Sequence, residues 1–254
     1  MAVISGSVLS KELGRHVSFT AILPHDQKNV PSRGFPVLYL LHGRTDDAHS
    51  WLYRSNIERY ACERSLAVVM PDAGLSYYVN EANGGNYFNF VADELPALIS
   101  SMFRLSYARE DTFVGGVSMG GYGALRCAFQ RSEQFAGCIA LSPVVDIEQS
   151  ILSDCQKGNE AMWRGILGEN LTVPKSMDIF KLVEENRNFA SVCPKLYIAC
   201  GRKDSRFEQC LRLKDLLDST RVDYTFQQAG AGHEWNFWDI AVQNGMDCVM
   251  RRDG

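Results

Sequence analysis

Short apolar runs and amphipathic stretches take turns along this chain. Val3 to Leu9 and His16 to Leu23 alternate apolar and polar residues around Lys11-Glu-Leu-Gly14. That period of two predicts an antiparallel hairpin at a sheet edge. Residues 24–35 are a polar loop. Pro36 to Leu41 and Leu66 to Met70 are unbroken apolar runs, as strands buried on both faces require. Between them, Ser55 to Ser65 has helical spacing through Ile57, Tyr60 and Ala61. A glycine- and aromatic-rich loop, 73–89, leads into a predicted helix, Phe90 to Phe103, with Pro96 in its first turns or kinking it. Thr112 to Val117, Phe135 to Leu141, Lys195 to Cys200 and Val222 to Gln228 are further predicted strands, and Trp235 to Met250 a closing helix. Residues 143–193 lack strand character and hold helical pieces around Met162 to Leu167 and Met177 to Asn186. Strands alternating with helices predict an α/β chain, with a mostly parallel central sheet and helices on both faces. Nothing resembles a linker, so residues 1–254 read as one domain.

Composition narrows the function classes. With 254 residues, 46% hydrophobic and 22% charged, the chain can bury a sizeable core. A net charge of -4 argues against a nucleic-acid surface or a polybasic membrane patch. No apolar stretch approaches the ~20 residues of a membrane span, and the N-terminus lacks the pattern of a signal peptide. The eight cysteines show no Cys-x-x-Cys and no zinc spacing. Reduced thiols and a cytoplasmic location are the expectation.

The stretch Thr112-Phe-Val-Gly-Gly-Val-Ser-Met-Gly-Gly-Tyr-Gly-Ala-Leu125 carries the first chemical signal. Gly116-x-Ser118-x-Gly120 lies between a predicted strand and a helix opening on small residues, which is the pattern of a nucleophile elbow. The motif is weak alone, so its partners matter. In such sheets the order is Ser, then Asp or Glu, then His. Asp204 follows the strand ending at Cys200, and His233 follows the last strand and is the only histidine after Ser118. Asp204 could instead cap a helix. Asp223 begins a strand and so lies at the wrong end of the sheet, Asp239 is inside the last helix, and Glu234 adjoins the histidine too closely. Asp204 is therefore favoured, with His233 as general base and acid. An oxyanion hole needs two backbone N–H groups: one from Met119, the other from the His42-Gly43-Arg44 loop. His42 itself reads as a packed structural residue.

Four pieces in order, Leu40-Leu-His-Gly-Arg-Thr-Asp-Asp-Ala-His-Ser-Trp51, Gly116-Val-Ser-Met-Gly-Gly121, Gly201-Arg-Lys-Asp204 and Gly232-His-Glu-Trp-Asn-Phe-Trp238, resemble the esterase D-like branch of α/β-hydrolases. That group includes tributyrin and acetyl esterases, S-formylglutathione hydrolases, feruloyl esterases and mycolyltransferases. Ser55-Asn-Ile-Glu-Arg59 and Val-Val-Met-Pro-Asp72 look closest to small bacterial tributyrin esterases. The resemblance implies the α/β-hydrolase fold, a triad of Ser118, Asp204 and His233, and a second oxyanion N–H at Arg44. It implies that the segment at about 143–193 is a cap-like insertion, where Trp163 or Leu167 could close the acyl side of a small pocket. Many relatives have an apolar residue at position 44, so the arginine side chain bears on what the pocket accepts. Relatives are often oligomeric, so a homo-oligomer is compatible with the resemblance.

The expected activity is that of a serine carboxylesterase on short-chain acyl esters, including acetylated or feruloylated carbohydrates. The alternatives are an S-formylglutathione thioesterase, an acyltransferase, or a non-catalytic binding module on the same fold. The partner is a small-molecule acyl ester. No metal or organic cofactor is expected, since an acyl-serine mechanism needs neither. Trp51, Tyr77, Tyr78, Tyr87, Phe88 and Trp235 lie on loops at the expected sheet top. They could form an aromatic wall or pack the loops onto the core. Trp51, Tyr78 and Trp235 are taken as substrate-binding candidates. Arg44, Arg54, Arg59 and Arg64 could form a basic rim for an anionic alcohol or thiol, but the plainer reading puts three of them on the solvated face of a helix.

Overall fold

A computed structural model of the chain describes residues 1–26, 30–186 and 192–251. Residues 27–29 of the expected polar loop and 187–191 of the segment 143–193 lie outside the described residues. The predicted hairpin is the antiparallel pair β1 (Ala2–Ser10) and β2 (Arg15–Leu23). The buried runs become β3 (Val37–Leu41), β4 (Ala67–Pro71), β5 (Thr112–Val117), β6 (Gly137–Leu141) and β7 (Lys195–Gly201), with β8 (Tyr224–Ala229) at the far edge. They form one eight-stranded sheet in the order β1-β2-β4-β3-β5-β6-β7-β8. β2 meets β4 antiparallel, and every pair from β4 to β8 is parallel.

The alternation along β3 explains why the sheet is covered twice. Val37, Tyr39 and Leu41 enter the apolar cluster on one face, which includes Tyr122, Leu125 and Leu213. Leu38 and Leu40 enter the cluster on the other, with Ile57, Tyr60, Phe237 and Trp238. After β3 the chain crosses to one side to form β4, then to the other to form β5. The carboxyl ends of β3 and β5 thus flank the point where strand order reverses, the usual place for a ligand in an open α/β sheet.

Two differences from the sequence pattern have physical causes. The predicted helix Phe90 to Phe103 starts earlier, at Tyr87–Asn89, and passes through a wide π-type turn, Phe90–Glu94, into an α-helix, Leu95–Met102. Pro96 lacks the N–H that would bond the Ala92 carbonyl, and the Gln134 side chain donates to that carbonyl instead, at 2.6 Å. Between β6 and β7 the helices Glu160–Leu167 and Ile179–Asn186 match the expected pieces, but Ile147–Gln156 is an additional one. Its signal was Asp146-x-x-Gln149: the Asp146 carboxylate accepts from the Gln149 N–H at 2.9 Å, an N-cap.

Main-chain atoms meet where β3 ends. A Cβ on Gly120 would lie 2.4 Å from the Leu41 carbonyl oxygen and 2.6 Å from that of His42. Neither backbone can withdraw without disturbing a buried strand. Gly120→Ala is therefore expected to lower unfolding free energy by about 1–3 kcal/mol, the usual cost of overpacking. Urea denaturation followed by tryptophan fluorescence measures it.

Candidate active site

Ser118 sits between β5 and the helix Met119–Gln130 with φ 55° and ψ -111°, a conformation rare for any residue with a side chain. Three backbone hydrogen bonds hold it there. Its N–H donates to Leu141 at 2.8 Å, and its carbonyl accepts from Tyr122 at 3.1 Å and Val144 at 3.2 Å. Ser118 is half-buried, while Met119 behind it is fully buried. The first N–H groups of the helix have no partner within it and favour negative charge nearby.

The strands β7 and β8 deliver the next pair. A Cβ on Gly201 would lie 2.2 Å from the Ala231 carbonyl oxygen, so glycine lets the two loops touch. Arg202 N–H then donates to Ala229 at 2.8 Å and Lys203 N–H to Ala231 at 2.9 Å. This zip brings His233 beside Asp204, with Nδ1 of the imidazole 2.8 Å from Oδ2 of the carboxylate. The Asp204 side chain is wholly buried and that of His233 is 36% exposed. Burial alone would push the Asp204 carboxyl up. Hydrogen bonds from His233, the Arg206 N–H and Ser142 outweigh it and hold the group below its ordinary value. An ionised Asp204 makes Nδ1 the protonated nitrogen, which leaves Nε2 free to accept a proton. The rivals are engaged elsewhere: Asp223 lies 3.9 Å from Lys195, Asp239 accepts from Asn56 at 2.7 Å, and Glu234 accepts from the Gly232 N–H at 2.9 Å.

The loop after β3 is anchored from both sides. His42 is 1% exposed. Its Nε2 accepts from the Ala73 N–H at 3.0 Å, so Nδ1 carries the proton and donates to the Gly43 carbonyl at 2.8 Å. It is a satisfied structural imidazole, as the sequence suggested. Arg44 Nη1 donates to both oxygens of Asp154, at 2.8 and 2.9 Å, and the Trp163 indole donates to the same carboxylate at 3.1 Å.

Two substrate-binding candidates are buried. Trp51 is 0% exposed, with its indole N–H donating to the Leu41 carbonyl at 3.0 Å and its ring edge-on to Trp235 at 4.9 Å. Tyr78 is also 0% exposed, and its hydroxyl donates to the His42 carbonyl at 3.0 Å. Both rings support the loop after β3 from inside the core. Trp235 remains half-exposed, with the Arg54 guanidinium 5.7 Å from its ring centroid. Trp163 is fully buried, its ring tilted against that of Tyr77 with centroids 4.5 Å apart. Arg59 pairs with Glu63, and Arg64 with Asp247, away from the elbow. Sequence reasoning left out Ser142, which donates to Asp204 and accepts from the Trp238 indole at 3.0 Å. Its place directly after β6, at a carboxyl end, was the available signal. Among the described residues no cluster of three or more His, Cys, Asp or Glu could hold a metal ion, and no helix is long and apolar enough to cross a membrane.

Comparison with known proteins gives a consistent picture. Residues 10–244 match the family model described as "Putative esterase". An acetyl esterase of Caldicellulosiruptor saccharolyticus is 32% identical, with 99% of each chain covered. FphF of Staphylococcus aureus, a fluorophosphonate-binding serine hydrolase solved with substrate bound, superposes with a TM-score of 0.89 at 29% identity, over 99% of each chain. The S-formylglutathione hydrolase FrmB of Staphylococcus aureus superposes with a TM-score of 0.85 at 30% identity, over 98% of this chain and 99% of its own.

The depressed carboxyl of Asp204 has a consequence for acid stability. Its folded value lies below its unfolded one. The stabilisation it gives is therefore complete above the unfolded value, about pH 4, and is lost as pH falls through the folded value. Below about pH 4 the wild type is expected to lose stability more steeply than Asp204→Asn, as measured by urea midpoints across pH 2.5 to 7.

Proposed function

Because the chain belongs to the esterase family, its branch the esterase D-like one, we propose that it hydrolyses short-chain acyl esters through an acyl intermediate on Ser118. It is a carboxylic ester hydrolase of α/β-hydrolase fold. The observation that carries the residue assignment is the His233–Asp204 pair at 2.8 Å, set at the same end of the sheet as the strained Ser118. His233 Nε2 takes the proton of Ser118 Oγ as Oγ bonds to the ester carbonyl carbon. The resulting oxyanion accepts hydrogen bonds from the N–H groups of Arg44 and Met119. Collapse breaks the bond to the alcohol oxygen, which receives the proton from His233. A water molecule, deprotonated by the same nitrogen, then releases the acid and restores Ser118. Asp204 holds the imidazole in the required tautomer throughout.

The acetyl esterase relative supports a small acyl group. So does the short segment between β6 and β7, which we assign as a cap within one domain, with Trp235 beside the site as the aromatic surface for the alcohol. The eight unpaired cysteines fit a cytoplasmic setting. The neighbouring S-formylglutathione hydrolase keeps thioester cleavage as the second reading, and S-formylglutathione assayed beside p-nitrophenyl acetate decides between them.

Turnover of p-nitrophenyl esters is expected to be highest for acetate to butyrate and to fall steeply towards palmitate. Ser118→Ala is expected to lower kcat on the order of 10⁶-fold, and Asp204→Asn roughly 10⁴-fold, by analogy with serine proteases. A fluorophosphonate probe is expected to label the wild type and not Ser118→Ala. Turnover in Ser118→Ala close to wild type overturns the assignment.

A further inference from the structure

Two arginines reach one face of the helix Ile147–Gln156. This helix starts beside the elbow, since Val144 N–H donates to the Ser118 carbonyl three residues before it. Ser150 and Asp154, one turn apart, face inward and are 3% and 6% exposed. Arg44 holds Asp154, and Arg206 Nη1 donates to Ser150 Oγ at 3.0 Å. Helical residues four apart have Cβ atoms about 5–6 Å from each other, so the two guanidiniums lie side by side. The buried Tyr77 feels the charge of both. Arg44 follows Gly43 in the loop after β3, and Arg206 comes two residues after Asp204 in the loop after β7. The pair therefore stands between the two loops that flank Ser118, at the carboxyl end of the sheet.

The carboxylates nearby are already engaged by other donors. Asp154 serves Arg44 and the Trp163 indole. Asp146, at the start of the same helix, is taken by Arg212. Among the described residues Arg206 makes no ion pair, and the partner of its guanidinium is a hydroxyl. The second terminal nitrogen of Arg44 reaches the Met162 sulfur at 3.8 Å, a weak acceptor, and the Tyr77 hydroxyl is a further neutral partner of this guanidinium. Both side chains remain partly open, Arg44 at 30%. Asp204, two residues before Arg206, is engaged by His233, the Arg206 N–H and Ser142, so the Arg206 guanidinium keeps N–H donors beyond the one given to Ser150 at the edge of the site. Such donors suit a planar carboxylate better than any neutral group.

We propose that Arg44 and Arg206 form an anion subsite, and that the enzyme prefers esters bearing a carboxylate a few atoms from the reacting carbonyl. This rests on the esterase reading of Ser118 and names the substrate class within it. The carboxylate could belong to the acyl or the alcohol part, and the probes separate the two. Monomethyl glutarate and monomethyl adipate carry it on the acyl side and are compared with methyl hexanoate. 4-Acetoxybutyrate carries it on the alcohol side and is compared with pentyl acetate. Hydrolysis is followed by pH-stat. In the wild type at least one anionic ester is expected to exceed its neutral counterpart about tenfold in kcat/KM, mostly through KM, as one charge-assisted hydrogen bond allows. Arg206→Gln is expected to bring that ratio to about one, Arg206→Lys to keep part of it, and added salt to shrink it in the wild type. The arm that shows the gain identifies the side. The proposal is overturned if neutral esters are hydrolysed and no anionic ester is preferred, or if Arg206→Gln leaves the ratio where it was. If the wild type cleaves none of the five esters and a fluorophosphonate does not label it, the esterase reading falls, and the subsite with it.

Discussion

Two stretches of bare backbone, touching where β3 ends and the elbow helix begins, set the geometry of this molecule. Gly120 faces the carbonyls of Leu41 and His42 so closely that no Cβ fits between them, and a Cβ on Gly116 would in turn meet Gly120 at 2.5 Å. The contact allows the helix to begin immediately after Ser118 and brings the loop carrying Gly43 and Arg44 against it. A left-handed backbone at a non-glycine residue costs about 1–3 kcal/mol. The three hydrogen bonds to Leu141, Tyr122 and Val144 hold it in place. The strain is tolerable because β3, β5 and β6 are central strands buried on both faces and have nowhere to relax.

A second constraint is electrostatic. A buried carboxylate must either find donors or take up a proton. Asp204 finds them in His233, the Arg206 N–H and Ser142, each from a different part of the chain. These donors keep Asp204 ionised, and they also fix its orientation. Ser142 is itself oriented by Trp238, whose ring stands edge-on to His233 at 4.7 Å. The imidazole is thus set by a hydrogen bond on one side and an aromatic face on the other, while its remaining edge is open to solvent.

The sheet, the elbow and the order of Ser118, Asp204 and His233 were legible because each depends on local signals: apolar runs, glycine spacing and position after a strand. The aromatic residues were not legible in the same way. Trp51 and Tyr78 look like pocket walls, being large, amphipathic and near the sheet top. Each has one polar atom, and both spend it on the carbonyls of the β3 end, Leu41 and His42, which decides their burial. That pairing depends on a tertiary contact across 10 residues in one case and 36 in the other. The π-type turn ahead of Pro96 is similar. The proline announces a lost hydrogen bond, but the replacement comes from Gln134, which no local pattern connects to it. The helix Ile147–Gln156, in contrast, announces itself by its N-cap, while its apolar face, Ile147 and Ile151, is thin.

Arg44 links the two halves of the argument, because its backbone and its side chain face different tasks. The N–H belongs to the loop that approaches the elbow, whereas the guanidinium reaches the helix after β6. Asp154 is 9% exposed at its side chain, so it cannot exchange Arg44 for water. Without the arginine it would keep only the Trp163 indole, and a buried carboxylate with one donor is costly. Trp163 in turn is packed on Tyr77, whose ring also meets Tyr122 of the elbow helix at 6.3 Å. The path closes on itself: elbow helix, Tyr77, Trp163, Asp154, Arg44, and back to the elbow through Gly43 and His42. A displacement of the segment between β6 and β7 would therefore be felt at the backbone beside Ser118. The residue whose guanidinium faces the helix after β6 is also the one that fastens that helix to the loop beside Ser118. Under the proposed function, selectivity and oxyanion geometry would therefore be coupled through Arg44.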